Sequence, residues 1–191
     1  MADRDRVLIV VPTVAGREDE LRACLSSHAH PRAVLRIERG HASCGDAWNA
    51  GARAALREHS RRPLDAVLFT ADDLIAHPGY LDVALSMLHL HELPGAFVYD
   101  EDGRRHDDDG PPAATVPFSR VPLLPMHLVR ALFPMPPLHY YSDLWLGERA
   151  RELGWNTRLV RSFAFTHTWA QAGRIASDER DLRLLRSLGS R

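Results

Sequence analysis

At 191 residues with a formal net charge of −1, the chain is long enough for one sizeable core and lacks an overall basic field for nucleic acid or membranes. Hydrophobic residues at 45% and charged residues at 26% are ordinary for a soluble globular domain, and no apolar run approaches the roughly 20 residues of a bilayer span. The cysteines, Cys24 and Cys44, give neither a disulfide framework nor a zinc spacing; free thiols and a charged start at 3–6 predict a reducing cytoplasm.

In chain order, residues 7–11 form an unbroken apolar strand stopped by Pro12-Thr13. From Gly16 the pattern turns helical, with Leu21, Cys24, Leu25 and His28 on one face until Pro31. Residues 33–37 read as the next strand. The polar, glycine-rich stretch 40–51 then runs into a helix whose buried stripe is Trp48, Ala52, Ala55 and Leu56. A third apolar strand, centred on 67–70, ends abruptly in Asp72 and Asp73. Pro78 opens another helix with Leu81, Ala84, Leu85 and Leu88 inward. Alternating strands and helices, with strands apolar on both faces, predict an α/β fold with a parallel sheet flanked by helices.

The second half is less regular. Residues 96–99 read as a short strand, 100–110 as a charged loop, and the proline-rich segments 111–125 and 134–137 as interruptions of regular structure. Ser142 is expected to cap a helix over 143–153 that Gly154 ends. Strands at 157–160 and 163–165 lead to His167, and Ser177 is expected to cap a last helix bearing Leu182, Leu185 and Leu188.

In parallel sheets, ligands bind at the carboxyl ends of the strands. Two adjacent carboxylates there repel one another unless a cation or solvent separates them. The acidic run at 107–109 is a rival, but arginines, glycines and a proline around it predict a solvated loop.

Taken together, Pro12-Thr13 with Arg17, Gly45 with Trp48-Asn49 and Gly51, Thr70-Ala-Asp-Asp-Leu74, the stretch 141–150 with Gly154-Trp155, and Phe165-Thr-His167 resemble the family-2 glycosyltransferases. The resemblance runs over about residues 7–168 in the family's order. It implies the nucleotide-sugar-binding fold called GT-A, in a single domain (1–191) whose donor half is 1–92 and acceptor half 93–191. It further implies that Asp73 and His167 hold Mn²⁺ or Mg²⁺. Thr13, Arg17, Glu38, Gly45, Asn49 and Asp72 would line the nucleotide-sugar pocket, and Asp143 would serve as the base. Tyr140, Tyr141 and Trp145 beside that base are candidate acceptor contacts. Residue by residue, plainer readings remain open: Arg17 as an exposed first-turn residue, Gly45 as a turn, Asp143 as a helix-start acid, Trp145 as core.

Three positions depart from the family pattern. Ala71 stands where its acidic motif begins, Glu38 stands where an Asp usually meets the nucleobase, and Ser142 precedes Asp143 where the family usually has Glu. The expected reaction is metal-dependent inverting transfer of a sugar from a nucleotide diphosphate, with UDP-sugars favoured, to a hydroxyl acceptor. Two acceptor classes follow: a carbohydrate or small hydroxyl compound, and a hydroxymethylated pyrimidine in DNA. Small phage enzymes of this kind suggest the second, and basic residues that are all Arg suit a high-GC phage working in host cytoplasm. The alternatives are a sugar-phosphate nucleotidyltransferase and a non-catalytic nucleotide-sugar-binding protein. No membrane partner is expected.

Overall fold

A computed structural model describes residues 6–104, 120–139, 141–168 and 174–189. Strand β1 (Val7–Thr13) is the axis of the larger sheet, with β2 (Ala33–Arg39) and β3 (Ala66–Phe69) parallel on either side. Strand β6 (Leu123–Pro125) adds antiparallel beyond β3, so the order is β2-β1-β3-β6. Successive side chains of β1 point to opposite faces, and both faces are covered. Val7, Ile9 and Val11 enter one core with Leu21 and Cys24 of α1 (Glu18–Ser27) and Leu81 of α3 (Tyr80–His89). Leu8 and Val10 enter another with Trp48, Ala52 and Ala55 of α2 (Cys44–His59). This double coverage explains why β1 and β3 carry almost no polar residues.

A second sheet has the order β4-β7-β5. Strand β7 (Asn156–His167) runs antiparallel to β4 (Leu74–Ala76) and parallel to β5 (Glu92–Tyr99). Helices α4 (Met126–Leu132), α5 (Ser142–Glu152) and α6 (Arg174–Gly189) complete the chain order. The expected fold class, an α/β sheet flanked by helices, is the one observed; the sheet expected to be parallel is mixed, because β6 joins it antiparallel, and β4-β7-β5 forms a second mixed sheet.

Several local expectations are corrected. Strand β6 lies at the end of the 111–125 segment read as irregular, and α4 fills 126–132 between the two proline-rich segments, where no element was expected; Pro125 supplies its extended N-cap. Strand β5 starts at Glu92, not 96, with Pro94 and Gly95 inside it opposite Arg158 and Leu159. The two strands expected around 157–165 are one continuous β7. Ser142 is not the cap of α5. Tyr141 is, in a left-handed conformation (φ 60°), while the Ser142 hydroxyl donates to the Leu138 carbonyl at 3.1 Å. Helix α6 begins at Arg174, which places Ser177 within it rather than at its start. Gly154 does end α5, at φ +86°.

His28, placed on the inward face of the first helix by its spacing, is fully buried at the end of α1, with Nδ1 2.6 Å from the Tyr80 hydroxyl of α3. Burial lowers its pKa from 6.5 to about 4. A depressed value means that the native state holds this ring neutral while the unfolded chain protonates it first. Its stabilising contribution is complete above about pH 6.5 and is lost as pH falls toward 4. Urea unfolding at pH 7.5 and 4.5 is therefore expected to show about 2–3 kcal/mol more acid destabilisation in wild type than in His28→Phe. Equal pH dependence in both proteins would remove His28 from the explanation.

Candidate active site

The carboxyl ends of β1 and β3 lie side by side, and the turn after β3 projects Asp72 and Asp73 there. Asp72 is 2% exposed; its Oδ2 accepts from Thr13 Oγ1 at 2.6 Å. Arg17, the N-cap of α1, reaches both acids: Nη1 lies 2.9 Å from Asp72 Oδ1 and Nη2 3.0 Å from Asp73 Oδ2. The side chain is 21% exposed, so it is no free first-turn residue.

The two carboxylates are driven apart. Burial raises the pKa of Asp72 despite the Thr13 hydrogen bond and the Arg17 charge. Burial also opposes ionisation of Asp73, but His167 and then Arg17 overcome it and hold that carboxyl below its usual range. Asp73 is thus the better anionic ligand. For Arg17 burial works against the charge, and Asp73, then Asp72, more than restore it.

The far end of β7 closes the site. Register pairs His167 with Leu74, and His167 Nε2 lies 3.3 Å from Asp73 Oδ2. Thr168 fastens the turn from behind, its backbone N–H donating to the Asp73 carbonyl at 2.8 Å. Ala71 packs toward the core, and its carbonyl accepts from Cys24 Sγ at 3.3 Å. The position where the family carries an acid thus faces inward here.

Among the described residues no three His, Cys, Asp or Glu side chains are grouped to hold a metal. The pair that is present still suits one. Ligands cis to each other on an octahedral ion at 2.0–2.1 Å lie roughly 3 Å apart, and such ions often take one or two protein ligands plus substrate phosphates. The 3.3 Å between Asp73 Oδ2 and His167 Nε2 is compatible with that edge.

Asp143 sits in the first turn of α5 and lines a small recess with Leu93, Leu123, Leu124 and Leu146. Burial in these apolar surroundings pushes its pKa up to about 6, against the pull of the Leu144 N–H and of Arg120. Arg120 stands in no sequence motif, and Cys44 in none of those that mark the site. That thiol is raised first by burial, then by Asp143, Asp73 and Asp72, which puts it within electrostatic range of all three acids. Its place at the first residue of α2 was the available signal.

The glycine-asparagine motif proves to be a clamp. Asn49 donates from Nδ2 to the Met135 carbonyl at 2.9 Å and accepts at Oδ1 from the Met135 N–H at 2.8 Å. The Gly45 N–H donates to the Leu138 carbonyl at 2.7 Å, and a Cβ at Gly45 would come within 2.6 Å of the Pro136 carbonyl oxygen. Both residues lock α2 onto the 134–138 loop, which leads directly into α5.

Glu38 is buried at the end of β2 beside Pro12, but Arg36 Nε holds one carboxylate oxygen and His41 Nε2 the other, the latter at 3.0 Å. Trp145 packs partly into the core, with the Arg149 guanidinium 5.8 Å from its ring centroid. Tyr141 is half-buried at the cap of α5. Tyr140 and the 107–109 acidic run lie outside the described residues. Thr13, Arg17, Asp72, Asp73 and His167 are therefore brought together directly. Asp143 lies in the recess on α5 and acts on the same Cys44 thiol as the two acids, and Glu38, Gly45 and Asn49 are engaged with protein groups.

These features define an α/β fold with a cluster of two acids, an arginine, a threonine and a histidine at its strand ends. No protein-family model matches the sequence. No curated protein matches it either. The chain is similar in structure to S. aureus TarS, with a TM-score of 0.59 and 13% identity over 95% of this chain and 39% of TarS. It thus spans about two fifths of that protein's length. A glycosyltransferase involved in the glycosylation of the major capsid of PBCV-1 overlays more loosely, with TM-score 0.46, 10% identity, and 95% of this chain and 99% of that one covered. A Desulfovibrio desulfuricans protein described as a nucleotide-diphospho-sugar transferase overlays at TM-score 0.45, 13% identity, 97% of this chain and 96% of that one. At 13% identity it is the architecture alone that is shared with TarS.

Proposed function

We propose that this chain is an inverting glycosyltransferase that moves a sugar from a nucleotide diphosphate, UDP favoured, to a hydroxyl acceptor. The observation that carries the reading is the meeting of Thr13, Arg17, Asp72, Asp73 and His167 at the strand ends, with Asp73 Oδ2 shared by Arg17 and His167 at 3.0 and 3.3 Å. Sugar transfer requires that the leaving diphosphate be neutralised, the acceptor hydroxyl deprotonated, and the two aligned. A Mn²⁺ or Mg²⁺ ion bound by Asp73 and His167 would supply Lewis-acid neutralisation of the diphosphate. Arg17 adds a guanidinium beside the same acids, and Thr13 orients Asp72. Asp143 takes the acceptor proton. One base acting opposite the departing nucleotide gives inversion by direct displacement.

Within this reading 1–92 takes the donor and 93–191 the acceptor, with Tyr140, Tyr141 and Trp145 on the acceptor side. A carbohydrate is the favoured acceptor and hydroxymethylated DNA the second. Exposed Arg180, Arg183 and Arg186 on α6 favour keeping the second in the test. No helix among the described residues is long and apolar enough to cross a membrane.

Calorimetry with UDP, GDP and their sugars is expected to show nucleotide binding that strengthens several-fold on adding Mn²⁺. Identical affinity with and without metal would remove the metal from the reading, and no nucleotide binding at all would remove the reading. For the acceptor, glycans are compared with hydroxymethylated oligonucleotides. Transfer to DNA that weakens steeply with added salt would select the second class.

A further inference from the structure

Arg17 stands between Asp72 and Asp73 where a cation would be expected, and it is poorly satisfied there. Its Nη1 and Nη2 lie 2.9 and 3.0 Å from the two carboxylates, yet its Nε and Nη2 are buried with no hydrogen-bond partner. The guanidinium is held chiefly by charge, with N–H groups that do not align on the oxygens. Buried donors left unmatched are costly, so this arrangement is a provisional one for Arg17. Asp73 Oδ2 also lies 3.3 Å from His167 Nε2. A divalent ion at that edge and the guanidinium therefore need the same oxygen atom.

The backbone around Arg17 has room to re-aim. Gly16 adopts φ +87° with nothing within 4 Å of where a Cβ would stand, and Val14 is 56% exposed. Arg17 is the N-cap of α1 but makes no side-chain cap hydrogen bond that would hold it in place. Two carboxylates and one guanidinium leave a single net negative charge, which is weak attraction for a divalent ion alone. Adding a diphosphate changes the balance. Its oxygens accept from a guanidinium in bidentate geometry, which gives the unmatched donors of Arg17 better partners than they have now.

We propose that Arg17 is a built-in competitor for the divalent ion at Asp73 and His167, displaced from Asp73 when the ion arrives with a diphosphate whose oxygens Arg17 then holds. The inference rests on the donor-site reading above and deepens it. Metal and nucleotide should accordingly bind as a pair, each weakly without the other.

The test is calorimetric titration of the full chain with Mn²⁺ alone, then with UDP at saturating Mn²⁺, for wild type and Arg17→Gln. The expected result has opposite signs. The variant binds Mn²⁺ alone at least tenfold more tightly than wild type, and binds UDP in saturating Mn²⁺ at least tenfold more weakly. Unchanged or weaker Mn²⁺ affinity in the variant overturns the proposal, as does the absence of Mn²⁺ binding by either protein. UDP binding by wild type in the same titrations shows whether the donor-site reading survives such a failure. If the variant does not fold, wild type decides through the Nε–H NMR signal of Arg17. Mg²⁺ with UDP should shift that signal markedly and Mg²⁺ alone only slightly; a signal unmoved by both together overturns the proposal. The Arg17→Lys protein, by losing the signal, assigns it.

Discussion

Asp143→Asn is expected to lower the rate of sugar transfer by about 10²–10⁴-fold while leaving donor affinity within a few-fold of wild type. The replacement keeps the shape of the side chain and removes only its capacity to take a proton. Burial against Leu93, Leu123, Leu124 and Leu146 raises the Asp143 pKa to about 6, so the base is ionised above that value. The wild-type kcat/KM profile should therefore lose activity roughly tenfold per pH unit below about 6, in a limb that the residual activity of Asp143→Asn lacks. The stability effect has the opposite sign to the activity effect. A native pKa raised above 3.8 means that ionising Asp143 destabilises the fold as pH rises from about 4 to 6. At pH 7 the Asn protein should unfold at equal or higher urea concentration than wild type, gaining on the order of 1–3 kcal/mol. Transfer at the wild-type rate by Asp143→Asn would reduce this residue to an acid at a helix start.

The second large effect separates the two neighbouring acids. Asp72, 2% exposed, ties Thr13 to Arg17, and Asp72→Ala leaves a hydroxyl and a mostly buried guanidinium short of a partner. Removing one member of such a pair typically costs about 3 kcal/mol or more, so the urea midpoint of Asp72→Ala should fall sharply. Asp73 is more open, with 16% of its side chain exposed, and it is the acid shared with His167. Asp73→Ala should stay folded, with a smaller change in midpoint, and lose the Mn²⁺ enhancement of nucleotide binding. Finding the larger stability loss at Asp73 and the larger binding loss at Asp72 would exchange the two roles.

The parts of the fold legible in the sequence are those buried on both sides. The apolar runs of β1 and β3 announce a covered sheet, and Leu21, Leu81 and Trp48 mark helix faces at the right spacing. What stayed hidden was short or set by partners far away in the chain. Strand β4 is three residues long and exists because it pairs with 165–167 of β7. Helix α4 is seven residues long, and prolines on both sides masked an apolar pattern at Met126, Val129 and Leu132. The site residues divide along the same line. Asp72 and Asp73 were visible because a buried strand ended in charge. Arg17 read as an exposed residue because its pairing with them bridges separate turns. Asn49 belonged to a recognisable motif, yet its amide is spent on Met135, a contact spanning 86 positions that no local pattern contains. Arg120 had no motif around it at all.

The Thr168 fastening of the acidic turn sets a timetable for the protein's own synthesis. The Asp73 carbonyl is met by a residue 95 positions further on, and His167 arrives with it. Such distant closures come late, because the entropy of looping the intervening chain must be overcome first. A nascent chain emerging from the ribosome can assemble β1, β2 and β3 with α1 and α2 long before β7 exists. Until then two adjacent carboxylates stand without their imidazole and without the strand that pins their turn. An unfinished polypeptide would accordingly hold the interior around β1–β3 while its acidic turn still lacks both partners. That cluster is complete only when nearly the whole described chain has been translated.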